Sequence, residues 1–179
     1  MKVISVAHNA DILVDTYQFH ESVKKQVVSK LKEGVPTIPK EHTNVKATVH
    51  TSYDWEPKNI VFRNLKAYIR EEINRHYKPG FIGETTRETL EESNFWLNVY
   101  EKGDYAQKHH HWPFHYSFAY FVECDKDHPP LVFTDNGYEV PPVEGTYVAF
   151  PAYLEHSVAK NTLDRVRITL SGNYSCTHP

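Results

Sequence analysis

Three histidines stand together at His109-His110-His111, in a chain of 179 residues that holds 12 histidines in all. Imidazole is a good ligand for iron, zinc, copper and nickel. In an extended strand the side chains alternate faces, so His109 and His111 point one way and His110 the other. Two imidazoles two residues apart on one strand face can share a metal ion. A third ligand must come from elsewhere, and His156, just past the apolar run 147–150, is the best candidate. The ligand type leaves the metal open, and three successive histidines also fit a solvated stretch.

A second pattern follows in Arg165-Val-Arg167-Ile-Thr169-Leu-Ser171-Gly-Asn173-Tyr. Alternation places Arg165, Arg167, Thr169, Ser171 and Asn173 on one face and Val166, Ile168 and Leu170 on the other. A polar front on an apolar back suits a strand lining a cavity for an anion; it also suits a hydrated edge strand. The Arg167 guanidinium is a planar two-pronged donor that fits a carboxylate, and Thr169 adds a hydroxyl. Residues 95–100 repeat the split, with Phe95, Leu97 and Val99 opposite Trp96, Asn98 and Tyr100. Tyr116, Phe118 and Tyr120 alternate in the same way with Ser117, Ala119 and Phe121. Asn98 and Tyr120 are either polar handles in a binding cavity or core residues with polar tips at the rim.

The elements that must position these groups divide the chain. Residues 3–7 predict a short strand. Phe19, Val23, Val27 and Leu31 recur every four residues and predict a helix over 16–32, with Asp15 as its cap and Gly34 as its stop. Residues 33–56 contain Pro36 and Pro39 and read as an irregular loop, a candidate substrate lid ending at Trp55. A second helix is expected over 57–77, with Pro57 in its first turn and the stripe Phe62, Leu65, Ile69 and Ile73; Pro79-Gly80 ends it. Residues 81–93 read as a polar connection with one helical turn at 87–92. Beyond Glu92 the period drops to two, with strands expected at 94–101, 116–123, 131–134, 146–150, 155–160 and 165–174. Helices followed by antiparallel strands predict an α+β chain, mainly β, a barrel or sandwich backed by helices. We read a single domain over 1–179, with 1–93 as helical support and 94–175 as the β core.

Charged residues make up 24% and hydrophobic ones 40%, ordinary values for a globular protein. The net charge of −3 carries no basic footprint of a nucleic-acid binder. No apolar run approaches the roughly 20 residues of a membrane span, and the N-terminus lacks the apolar core of a signal peptide. Cys124 and Cys176 form no CxxC pair and no disulfide framework. These features predict a cytoplasmic, reduced protein, and a homodimer is compatible with them.

The order Trp96-x-Asn98, Gly103, Gln107, His109-x-His111, Ser117, Tyr120-Phe121-Val122, Gly145, Phe150-Pro151, His156-x-Val158 and Arg167-Ile-Thr-Leu-Ser-x-Asn173-Tyr resembles the 2-oxoglutarate–iron(II) oxygenases related to prolyl hydroxylases, in a branch common in phages and marine bacteria. The resemblance covers roughly residues 94–175. It implies a double-stranded β-helix, a jelly-roll or cupin-like barrel, with the N-terminal helices packed on one sheet. It implies Fe(II) held by His109, His111 and His156, with 2-oxoglutarate and O2 as cosubstrates. Arg167 would pair with the far carboxylate of 2-oxoglutarate, Thr169 would assist, and Asn98 and Tyr120 would touch the cosubstrate. Trp112, Trp96 and Tyr100 would line the substrate pocket. The implied reaction converts 2-oxoglutarate to succinate and CO2 and hydroxylates a C–H bond of a small-molecule, peptide or protein substrate. Two positions depart from the pattern: His111 replaces the usual Asp or Glu, and Phe118 replaces a glycine after Ser117. The spacing from Gly103 to His156 also partly matches a cupin, a metal enzyme without 2-oxoglutarate, although the expected cupin glutamate is absent. A non-catalytic metal-binding barrel is the third reading.

Overall fold

Runs of period two separate side chains into two opposed sets, and the strands of this chain use both. The computed structural model describes residues 2–7, 10–76 and 89–177. In chain order the elements are β1 (Lys2–Ala7), β2 (Ala10–Thr16), α1 (His20–Glu33), β3 (Val45–Lys46), β4 (Val49–His50), α2 (Ile60–His76), β5 (Thr89–Tyr100), β6 (Tyr105–His109), β7 (Tyr116–Glu123), β8 (Leu131–Phe133), β9 (Tyr138–Val140), β10 (Thr146–Pro151), β11 (His156–Val158) and β12 (Arg167–Thr177). Seven strands form one sheet in the order β1-β2-β10-β7-β12-β5-β4, and five form a second, β3-β6-β11-β8-β9. Neighbouring strands run antiparallel in both sheets.

The helices cover one face of the larger sheet. Val23 and Val27 of α1, and Phe62, Leu65, Ile69 and Ile73 of α2, are fully buried against Leu97, Val99, Tyr120, Ile168 and Leu170. Their spacing of three or four residues puts them on one side of each helix. Burying each such side chain is worth about 1.5–3 kcal/mol. A second core lies between the sheets and includes Ile12, Phe121, Phe133, Val148 and Phe150. The mainly β, α+β expectation holds, with two α-helices and two antiparallel sheets among the described residues.

Gly172 on β12 lies opposite Phe118 of β7. A Cβ on Gly172 would sit 2.6 Å from Phe118 Cε1 and 2.7 Å from the Asn94 carbonyl oxygen. The bulk of Phe118 is therefore accommodated by the missing side chain across the ladder.

Several local expectations change. Asp15 and Thr16 do not open α1; they belong to β2 and pair with Tyr147 and Thr146. The helix starts at His20 and has no side-chain cap, while Gly34, at φ 86°, ends it and its N–H donates to the Leu31 carbonyl. Pro57 precedes α2, whose first turn is closed by Asn59 Oδ1 accepting from the Val61 N–H at 3.0 Å. The helical turn expected at 87–92 is strand over its described part, since Glu92, Glu91, Leu90 and Thr89 pair with Tyr174–Thr177. The segment 33–56 is not simply a loop: β3 pairs with β6 and β4 with β5. The first 93 residues thus add strands to both sheets as well as helices. The stop at Pro79-Gly80 and most of the connection 81–93 lie outside the described residues. Among the described residues no helix is long and apolar enough to cross a membrane.

Candidate metal centre and anion pocket

β6 and β11 are neighbours in the smaller sheet, and their register sets His109 opposite His156. His111 lies just beyond the end of β6, where its backbone N–H donates to the Ala152 carbonyl at 2.7 Å and turns the chain back over the same site. The three ligand-capable atoms all lie within 4.8 Å of one another. The ring centroids are 4.4 Å apart for His109 and His156, 5.0 Å for His109 and His111, and 5.1 Å for His111 and His156.

The partners of two rings fix which nitrogen is free. His109 Nδ1 lies 2.6 Å from the Gln107 carbonyl and His156 Nδ1 lies 3.0 Å from the Leu154 carbonyl. A carbonyl only accepts, so Nδ1 carries the proton in both, and each Nε2 keeps its lone pair for a metal. Burial lowers the pKa of all three: His109 falls, His111 falls well below the usual histidine range, and His156 drops to about 3, with the neighbouring imidazoles adding to the effect. Three neutral imidazoles are thus available at neutral pH.

Arg167 stands in the facing sheet and is 2% exposed. Its Nη1 donates to the Pro129 carbonyl at 2.6 Å, while its buried Nε has no partner. The guanidinium carbon lies 5.6 Å from the Tyr100 ring centre and 5.3 Å from that of Phe121. Among the described residues no carboxylate forms an ion pair with it. Burying an unpaired cation costs several kcal/mol, so this site calls for an anion that the described residues do not supply.

Around it runs a polar chain. His50 Nδ1 donates to Asn98 Oδ1 at 2.6 Å, and Asn98 Nδ2 donates to Thr169 Oγ1 at 3.2 Å. Burial pushes the pKa of the Tyr100 hydroxyl up to about 12, with the Arg167 guanidinium and the Thr169 hydroxyl opposing it. Burial lowers the pKa of His50, with the Asn98 bond opposing it. A narrow inner cavity of about 40 Å³ joins Arg167, Thr169, Asn98 and Tyr100 to the three histidines and Trp96. An outer cavity of about 360 Å³ shares His109, His111 and Trp96 and opens between Tyr53, Asn94, Trp112 and Asn173.

The structure therefore brings together His109, His111, His156, Arg167, Thr169, Asn98, Trp96 and Tyr100 around one inner cavity. Trp112 stands at the outer mouth, 70% exposed. Tyr100 is at the arginine end rather than in the outer substrate pocket expected for it. Tyr120 is not in the cavity: it shares the parity of Phe118 and Val122, faces the helices, and its hydroxyl bonds to His20 Nδ1 at 2.8 Å. The sheet-facing neighbours of Tyr120 are Ala119 and Phe121. Arg165 precedes β12 and forms an exposed ion pair with Asp125. Trp55 is no lid residue either; it packs 5.0 Å from Phe62 and 6.1 Å from Phe95 in the helix-side core. His50 was not expected, because β4 is two residues long and shows no periodicity.

No protein-family profile matches the chain, and no curated protein sequence matches it. Solved structures do resemble it in fold. The collagen prolyl hydroxylase vCPH of Paramecium Bursaria Chlorella virus-1, in its 2-oxoglutarate complex, superposes with a TM-score of 0.68 at 12% identity, covering 91% of this chain and 94% of that one. A prolyl-4-hydroxylase of Pseudomonas putida gives 0.66 at 16% identity, covering 92% and 91%. HygX of Streptomyces hygroscopicus, solved with nickel, 2-oxoglutarate and hygromycin B, gives 0.64 at 11% identity, covering 93% and 83%. At these identities the likeness establishes a shared fold.

Proposed function

We propose that this chain is an Fe(II)- and 2-oxoglutarate-dependent oxygenase built on a double-stranded β-helix, in one domain. The observation that carries the reading is a buried arginine with no carboxylate of its own, facing three neutral imidazoles across one cavity. The similarity in fold to enzymes of this type supports it.

The residues present fit both groups. His109, His111 and His156 would hold the metal through three nitrogen donors, a set that suits Fe(II) among other ions. The orphaned Arg167 Nε and the second guanidinium nitrogen offer the two-pronged face that a carboxylate takes. Bound iron with O2 supplies the oxidising chemistry that turns 2-oxoglutarate into succinate and CO2 and hydroxylates a C–H bond.

The chain's own groups do the rest. Arg167 binds the distal carboxylate, in a desolvated pocket where the charge pair counts for more than at the surface. Thr169 and the protonated Tyr100 donate alongside it. Asn98, locked by His50, fixes the Thr169 hydroxyl. Leu131, Phe150 and Val158 give the inner cavity apolar walls. Among the described residues that line the outer cavity there is no Asp, Glu, Lys or Arg. The part of the substrate that enters is therefore uncharged, whether it belongs to a small molecule or to a peptide. A cupin-type enzyme would leave the buried Arg167 without a purpose.

The test is an anaerobic titration with Fe(II) and then 2-oxoglutarate, followed by admission of O2. The expected result is the weak visible absorption of the iron–keto-acid chelate and slow succinate release. Metal binding with no response to 2-oxoglutarate would overturn the proposal.

A further inference from the structure

We propose that His128 is a positioning residue that aims the Arg167 guanidinium and so sets the affinity of the pocket for the distal carboxylate of 2-oxoglutarate. This rests on the reading of Arg167 given above. Among the described residues, the one hydrogen bond that the Arg167 side chain makes to the protein runs from Nη1 to the Pro129 carbonyl, at 2.6 Å. The direction of the guanidinium therefore depends on where that carbonyl is held.

Pro129 and Pro130 have no backbone N–H, so this end of the β7–β8 connection cannot be tied down by its own amides. The tether is the side chain just before them. His128 is 3% exposed. Its Nδ1 accepts from the Asp125 N–H at 2.7 Å and its Nε2 donates to the Arg165 carbonyl at 3.0 Å. The backbone N–H of His128 donates to the Asp125 carbonyl at 3.0 Å. The ring thus joins the loop that presents Pro129 to the chain two residues before Arg167. Asn161 Nδ2 donates to the same Arg165 carbonyl at 2.9 Å and holds that side of the bridge. On the outside the Asp125–Arg165 ion pair spans the same gap. The result is a closed circuit through Pro129, His128, Arg165 and Arg167 with the guanidinium as its inner side. Both ring nitrogens are used, one as acceptor and one as donor, a demand that the neutral Nε2–H tautomer meets and an apolar side chain does not.

The experiment is calorimetric titration of the Ni(II)-loaded protein with 2-oxoglutarate, alongside Ni(II) binding and thermal melting. His128→Ala is expected to weaken 2-oxoglutarate binding about tenfold with Ni(II) affinity unchanged, the usual size of a small misplacement of a binding group. His128→Gln, which keeps one donor and one acceptor, is expected within about threefold of the wild type. In an Arg167→Met background the His128 substitution should add nothing, because it acts through the guanidinium. If His128→Ala does not fold, His128→Met, which fills the space without either hydrogen bond, takes its place. A variant that melts earlier yet binds 2-oxoglutarate as the wild type does overturns the inference and leaves the proposed function standing. A wild-type protein that ignores 2-oxoglutarate overturns both.

Discussion

On the helix side of β5 and β12, Leu97, Val99, Ile168 and Leu170 pack against α1 and α2. On the side that faces the second sheet, the residues between them are Trp96, Asn98, Arg167 and Thr169, which line the inner cavity. The same two strands, paired residue by residue from Arg167–Tyr100 onward, carry both sets. One face consists of interchangeable apolar volume; the other holds specific groups whose hydrogen bonds converge. On these two strands apolar packing occupies one side and the polar groups of the proposed site the other, so substitutions on the two faces should separate in what they damage.

The sharpest break is His156→Ala. It should reduce Ni(II) or Fe(II) affinity by about three orders of magnitude while the circular dichroism spectrum stays native, because the helix-side core is untouched. Next comes Arg167→Met, expected to weaken 2-oxoglutarate about a hundredfold with metal affinity unchanged, as read by calorimetry. Equal loss of both would mean that the cavity face behaves as one packed unit.

The third test uses protons. The buried imidazoles of His50 and His156 and the half-buried ones of His109 and His111 have folded pKa values below the ordinary one, and that of His156 lies near 3. Below about pH 6.5 the unfolded chain takes up protons that the folded chain refuses. Metal-free protein should therefore lose stability as pH falls from about 6.5 toward 3, and urea midpoints at about pH 7.5 and about pH 5 will show it. Added Ni(II) should restore part of the loss, since it binds the neutral rings.

The last two substitutions move to the helix face. Gly172→Ala presses a methyl group into Phe118 and the Asn94 carbonyl, and should cost about 2 kcal/mol in denaturant unfolding with ligand affinities kept. Tyr120→Phe removes the bond to His20 and should cost about 1 kcal/mol. A large change in 2-oxoglutarate affinity from Tyr120→Phe would contradict the separation of the two faces.

Much of this plan was legible from alternation. The parity of His109 and His111, of Arg167 and Thr169, and of Trp96 and Asn98 follows from a period of two, and each pair reaches one cavity. The helical stripe at Phe62, Leu65, Ile69 and Ile73 was equally plain. Alternation says that a strand has two sides but not which side is covered by helices, and Tyr120 was misplaced for that reason. Its hydroxyl suggested a cavity, whereas a tyrosine can satisfy its oxygen within a core, as Tyr174 does by donating to the Lys66 carbonyl at 2.7 Å. Two-residue strands such as β3 and β4 carry no periodicity, so His50 was hidden among prolines and lysines. Asp15 suits a helix cap and Thr16 a first helical residue; pairing with β10, distant in sequence, decides otherwise.

His109 and His156 belong to the smaller sheet and Arg167 to the larger one. Facing sheets stand about 10 Å apart, so the two ends of any ligand spanning them are gripped by separate walls. Under the proposed function, the spacing between the walls would work as a caliper for dicarboxylates and select by chain length. Thicker side chains in the shared layer, at Phe121 or Phe150, would reset it, and a preference for a six-carbon keto-diacid over the five-carbon one would be the sign that the jaws had moved.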